Sequence, residues 1–178
     1  HDGSTPHTKM TCTGFQGSGT GVDITFFRRD AGVADYTKPD CFNFKSPEIT
    51  FVSCTSSGSA YTDDSHTDCS TDGTAILTIQ GTDFGQQTGS IEYIHIGTAN
   101  CPTVEWISHT QMKCALIEGP TDSLYQTLSI SVGGQPHTSG SIFRYADPVV
   151  TSGDCSGDCT TIGATLTVIG THFGPADG

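Results

Sequence analysis

At 178 residues the chain has room for one good core or two modest ones. Its 22 glycines, a hydrophobic share of 34% and a wealth of Ser and Thr suit short strands and polar turns rather than a helical bundle. A formal charge of −12 with only seven Lys and Arg excludes nucleic acid and anionic lipid as partners, and no apolar run approaches the ~20 residues that cross a bilayer.

In chain order, the first elements are the stretch His7-Thr8-Lys9-Met10-Thr11-Cys12, a strand over 22–27 and a strand over 41–44. A hairpin running from Arg28-Arg29-Asp30 to Pro39 connects the two strands. A short strand over 48–53 leaves Pro47, and a long polar loop fills 55–73. Residues 75–80 alternate, with Leu77 and Ile79 on one side and Ile76 on the other, and 81–89 is a turn with Phe84 as its apolar plug. The strand over 91–96 sets Ile91, Tyr93 and His95 against Glu92, Ile94 and Ile96 on the opposite face. Strands over 104–107, 111–116, 128–132 and 141–145 follow. Gly133-Gly134 and the stretch 137–140 are expected to form the hairpin between the last two. No segment shows a helical period.

The chain repeats itself. Leu77-Thr78-Ile79-Gln80-Gly81-Thr82-Asp83-Phe84-Gly85 returns as Leu166-Thr167-Val168-Ile169-Gly170-Thr171-His172-Phe173-Gly174. The Pro47-Glu48-Ile49-Thr50 segment returns as Pro148-Val149-Val150-Thr151, and His7 through Cys12 returns as His109 through Cys114. Repetition at this spacing indicates end-to-end modules of roughly 90 to 100 residues. Residues 1–46 are then the back half of one module, 47–146 a complete module and 147–178 the front half of a third. No flexible linker separates Tyr145-Ala146-Asp147-Pro148, so successive modules are expected to sit in fixed relation.

Eight cysteines point to an oxidising compartment and an extracellular or cell-surface location. Cys101 and Cys114 bracket the strand at 104–107, a separation that a disulfide between neighbouring strands closes. Cys54 with Cys69, and Cys155 with Cys159, bracket loops of unequal length at matching places in two modules. A staple tolerates that variation and a metal cage does not. Cys12, by its equivalence to Cys114, looks to a partner in the absent front half of its module; pairing with Cys41 is the remaining choice within the chain.

Some seven strands in about 100 residues, with one Trp and a cysteine pair, describe an immunoglobulin-like sandwich. The residues resemble the IPT/TIG family, immunoglobulin-like modules of plexins, Met-type receptors, fibrocystin-like proteins and Rel-type transcription factors. The resemblance rests on Pro47-x-Ile49, Gly73, Gly81-x-x-Phe84-Gly85, Cys101-x-x-Val104-x-Trp106-x-Ser108-x-x-x-Met112-x-Cys114, Ile130-x-Val132 and Phe143-x-Tyr145-x-x-Pro148. The resemblance implies an all-β chain of tandem IPT/TIG sandwiches, one complete and two partial. It implies Trp106 packed near a Cys101–Cys114 bridge, and structural roles for Phe84, Phe173, Pro47 and Pro148. It implies no catalytic residue and no cofactor.

Few residues carry chemistry of their own. Asp63, Asp64 and Asp68 could supply oxygen ligands to calcium, but the spacing and terminal Glu of an EF-hand are missing. Cys155, Cys159 and His172 can be drawn as zinc ligands, yet no Cys-x-x-Cys or His-x3-5-His pair accompanies them. No Gly-x-Ser-x-Gly elbow supports hydrolysis. Neither Asn43 nor Asn100 heads an N-glycosylation sequon, whereas the Thr- and Ser-rich loops leave O-linked glycans open.

The expectation is a structural one: an extracellular tandem array forming a rod or fibril by contact between neighbouring IPT modules, with head-to-tail completion of half-domains as one route to self-association. The alternative is a ligand-binding module of a receptor or adhesion ectodomain, recognising protein or glycan through the loop 55–73 or the hairpin 28–39.

Overall fold

The computed structural model describes residues 8–27, 34–55, 67–119, 125–155, 159 and 163–175. Its strands are β1 (Val22–Phe26), β2 (Tyr36–Phe42), β3 (Glu48–Thr55), β4 (Thr67–Cys69), β5 (Ile76–Thr82), β6 (Ile91–Ile96) and β7 (Ala99–Asn100). They continue with β8 (Val104–Ser108), β9 (Gln111–Ala115), β10 (Gln126–Val132), β11 (Gln135–Tyr145), β12 (Val149–Cys155) and β13 (Leu166–Thr171). The chain is all-β, and no helix among the described residues is long and apolar enough to cross a membrane.

Alternation decides which side of each strand turns inward. In β5, Leu77 and Ile79 are fully buried while Ile76 and Gln80 face out; in β6, Ile94 and Ile96 are buried. These inner faces belong to two sheets, β3-β5-β9-β8 and β4-β11-β10-β6-β7. Met112 on one side and Leu128, Ile130 and Phe143 on the other complete a single core. All pairings are antiparallel except β4 with β11, which run parallel.

Two differences from the sequence reading have clear causes. The turn between β10 and β11 is Gly133-Gly134 alone, both at positive φ (59° and 75°), the geometry of a two-residue primed turn. Residues 137–140 therefore belong to β11, which begins at Gln135 rather than at 141. Likewise β2 spans Tyr36–Phe42 and takes Pro39 into the strand, with a register shift opposite it and Asp40 at φ 50°. A proline is tolerated there because the strand has only one neighbour. Part of the expected polar loop 55–73 is also a strand, β4.

The disulfides hold the two sheets together. Cys54 of β3 is bonded to Cys69 of β4, with Cα atoms 5.6 Å apart. Cys101, whose N–H donates to the Ile94 carbonyl at 2.8 Å, is anchored to the five-stranded sheet and is bonded to Cys114 of β9 in the other. That bond crosses the sandwich rather than joining neighbouring strands. Cys155 is bonded to Cys159 beyond β12. Cys12 and Cys41 are exposed and unbonded, so a Cys12–Cys41 bridge is not formed. Cys41 lies on the outward side of β2, next to the inward Phe42, and Cys12 lies in a segment without strand structure.

The terminal hairpin copies the central one position by position. β3 and β5 pair Glu48 with Thr82 and Ile49 with Gly81, shift register past Thr50, set Cys54 opposite Leu77 and end with Thr55 opposite Ile76. β12 and β13 pair Val149 with Thr171 and Val150 with Gly170, shift past Thr151, and end with Cys155 opposite Leu166. Thr50 and Thr151, at the two shifts, donate their hydroxyls to the carbonyls of Gln80 and Ile169. The initial hairpin matches β10–β11 at several pairs, though β10–β11 shifts register twice and β1–β2 once. Thr25 lies opposite Thr37 as Ser129 lies opposite Thr138, each pair joined by hydroxyls 2.9 Å apart. What differs is burial: Leu77 and Phe84 are 0% exposed, whereas Leu166 and Phe173 are 63% and 42% exposed.

Replacing Phe84 with Ala should cost about 3–5 kcal/mol of unfolding free energy, read by chemical denaturation of the whole chain. Phe173→Ala, at the equivalent exposed position, should change the same curve by far less. Replacing Cys54 and Cys69 together with Ser should cost on the order of 2–4 kcal/mol, with loss of cooperativity between the sheets as the accompanying sign.

Candidate functional site: the joint between the initial hairpin and the central sandwich

The chain passes from Phe44 to Pro47 in four residues, and Pro47 is fully buried. Its partners across the joint come from far along the sequence. The side chain of Gln135, 6% exposed at the start of β11, receives the Gly19 N–H on its carbonyl oxygen at 3.3 Å. Its Nε2 donates to the Phe44 carbonyl at 3.0 Å and to the Ser46 hydroxyl at 3.2 Å. Phe44 N–H in turn donates to the Gly19 carbonyl at 2.9 Å. A buried amide is costly unless bonded at both ends, and here both ends are bonded to the segment before the joint.

Backbone approach adds a second constraint. Gly133, in the β10–β11 turn, lies so close to Gly19 that a Cβ built on it would stand 2.6 Å from the Gly19 nitrogen. Lys45 reaches Asp83 at 3.3 Å and Glu48 at 3.9 Å, but these groups are well exposed and the pairs contribute little. Asp83 itself sits at φ 62° in the Gly-x-x-Phe-Gly turn, as His172 does at φ 61° in its copy. That left-handed geometry is tolerated by a short polar side chain better than by most.

Around this joint lies a cavity of ≈ 580 Å³. Phe15 and Gln16 form one wall, and Asp83, Gln86, Trp106 and His109 the other. Phe15 stacks on Phe44 with centroids 5.2 Å apart, and both rings also meet Phe42. Gln86 donates to Gln16 at 2.9 Å across the gap. Trp106 is half-buried against the core, and its indole N–H donates to the Phe84 carbonyl at 3.2 Å. Trp106 lies opposite Met112, one inward position along from the Val104–Cys114 pair.

The other sequence candidates are dispersed. Pro148 and Phe173 are exposed, unlike their counterparts Pro47 and Phe84. His7, Asp63 and Asp64 fall outside the described residues, and Asp68 is placed in β4 opposite Arg144. Among the described residues no group of three or more His, Cys, Asp or Glu could hold a metal ion. Gln135, Gln16 and Gln86 were not singled out from sequence, because each acquires its role from a contact 70 or more positions away.

Among the described residues two ionisable groups are shifted. The Thr74 backbone N–H, then the Thr74 and Ser70 hydroxyls, hold the Asp72 carboxyl below its ordinary range. Burial raises the Tyr145 phenol, whose hydroxyl donates to the Ile117 carbonyl at 3.2 Å.

Residues 62–145 match the model of the IPT/TIG domain family. The central sandwich is an IPT/TIG domain. The family is one of non-enzymatic immunoglobulin-like modules. The match begins beyond β3, yet β3 pairs along its length with β5 and closes the edge of that IPT/TIG sheet. Comparison with curated proteins and with solved structures gave no match.

Gln135→Ala should leave the Phe44 carbonyl and Gly19 N–H short of partners, costing about 1–3 kcal/mol. In NMR residual dipolar couplings, the segment 15–44 and the IPT/TIG domain should then no longer share one alignment tensor. Asp72 binds its proton less readily folded than unfolded, so it stabilises the fold above its unfolded pKa, and that contribution is lost as pH falls through the folded value. Asp72→Asn should therefore flatten the acid side of a stability–pH profile and leave the neutral side's slope unchanged.

Proposed function

We propose that this chain is a structural segment of an extracellular array of IPT/TIG modules that forms a rod. The segments before and after the central domain are read as the back half and the front half of further modules. Register-for-register copying of β3–β5 by β12–β13, and the correspondence of the Val22–Phe42 and Thr25–Thr37 pairs to Gln126–Phe143 and Ser129–Thr138, support that reading. The three disulfides are compatible with an oxidising, extracellular location.

The observation that carries the proposal is the joint. A flexible linker would leave neighbouring modules free to tumble. Here the connection is four residues long, its proline is buried, and a buried glutamine from the far end of the next module grips the backbone on the other side. The alternative, binding through the loop 55–73 or the hairpin 28–39, falls largely on 56–66 and 28–33, which lie outside the described residues.

In the central domain Ile49, Leu77 and Phe84, the residues equivalent to Val150, Leu166 and Phe173, are covered by the opposite sheet, and neighbouring IPT modules, or half-domains completed head to tail, are the partners proposed for the β12–β13 hairpin.

Electron microscopy of the native material should show stiff rods or fibres with a fixed axial repeat of one or two sandwich lengths. Dispersed particles with variable angles between sandwiches would overturn the structural role.

A further inference from the structure

We propose that the cavity at the joint is a binding site for a neutral saccharide, held between the aromatic and amide groups of the two segments. At ≈ 580 Å³ it lies within the range of small-molecule sites, which favour the interfaces between domains. The inference goes beyond the mechanical role: a rod needs the joint closed, but not lined in this way.

Four features select the ligand class. First, Trp106 has its only donor committed to the Phe84 carbonyl, so the indole is fixed in orientation and offers the cavity apolar ring surface. Phe15, exposed and stacked on Phe44, offers a second such surface from the other wall. The weakly positive C–H groups on the face of a pyranose ring pack against the negative faces of such rings.

Second, the bridge from Gln86 to Gln16 uses one half of each amide. It leaves the Gln16 NH2 as a donor and the Gln86 carbonyl as an acceptor, and a sugar hydroxyl, which both donates and accepts, matches that pair. Third, the Asp83 carboxylate can accept from hydroxyls, yet its charge is already opposed by Lys45 at 3.3 Å, so the site does not call for a cation. Fourth, the chain's formal charge of −12 disfavours an anionic ligand.

The Phe15–Gln16 wall does not depend on an incomplete fold. By the repeat that aligns His7 through Cys12 with His109 through Cys114, Phe15 and Gln16 correspond to Ile117 and Glu118. Both of those are exposed in the complete central domain. Gly17 lies against the Phe44 ring as Gly119 lies against the Tyr145 ring, so the backbone presenting this wall is the same in both places. The residues themselves are not repeated: Ile117, Glu118, His172 and Pro175 stand where Phe15, Gln16, Asp83 and Gln86 stand here. The site belongs to this joint and not to joints in general.

Trp106 is the only tryptophan in the chain, so its fluorescence reports on the cavity directly. The intact protein is titrated with cellohexaose, maltohexaose and hexa-N-acetylchitohexaose, all neutral, with hexalysine as the cationic comparison. The expected result is a saturable emission change with at least one of the three sugars. It should weaken at least 10-fold in Gln86→Ala and Asp83→Asn, whose thermal unfolding midpoints verify folding. Gln86 is exposed, and Asn tolerates the left-handed backbone at 83. No response to any of the three sugars, a response to hexalysine alone, or a sugar response unchanged in both variants would overturn the proposal. Stiff rods seen by microscopy alongside such a result would leave the structural role standing without the site.

Discussion

The turn that carries Phe84 is the point on which the rest of the structure hangs. Its ring is buried at the end of the core, while its N–H donates to the His109 carbonyl at 2.9 Å and its own carbonyl receives Trp106. Gly81, three residues earlier, donates to the Thr110 carbonyl at 3.0 Å. Gly81 has no room for a Cβ between the Glu48 carbonyl and the Phe84 ring. One short phrase thus ties β3, β5 and the β8–β9 turn to one another, and its Asp83 and Gly85 face the joint. Because a single plug serves strand edge, core and joint together, the phrase at 77–85 has little freedom to vary.

Much of this was legible in the sequence because it is local. Alternation in 75–80 and 91–96 separated the two faces of each strand, and the repeated phrases of 77–85 and 166–174 lie in hairpins whose registers match. The resemblance to IPT/TIG modules, carried by residues spread from Pro47 to Pro148, led to the family of the central domain. The pairs Cys54–Cys69, Cys101–Cys114 and Cys155–Cys159 followed from spacing.

What escaped is non-local. Spacing suggested that Cys101 and Cys114 join adjacent strands, because sequence cannot say that the chain has changed sheets between them. β4 was hidden in a polar stretch since its three residues are recruited by β11 and by Cys54, not by their own pattern. Nothing around Gln135 distinguishes it from any glutamine after a Gly-Gly turn. Its role appears only when Phe44, 91 positions earlier, is brought beside it. Residues 137–140 look like turn chemistry, but the two glycines before them complete the reversal and free them to extend β11.

The same glutamine imposes an order on assembly. Gly19, Phe44 and Ser46 are made early, while Gln135 sits in the last hairpin of the central domain. During vectorial synthesis a joint cannot lock when the two segments first meet. It locks only once the downstream sandwich has all but finished folding. In an array built this way, stiffness would trail the growing end by one domain: a pliant tip followed by a set shaft. Each sandwich would be free to find its own register before being fixed to its predecessor, so that an error in one would not be frozen into the next.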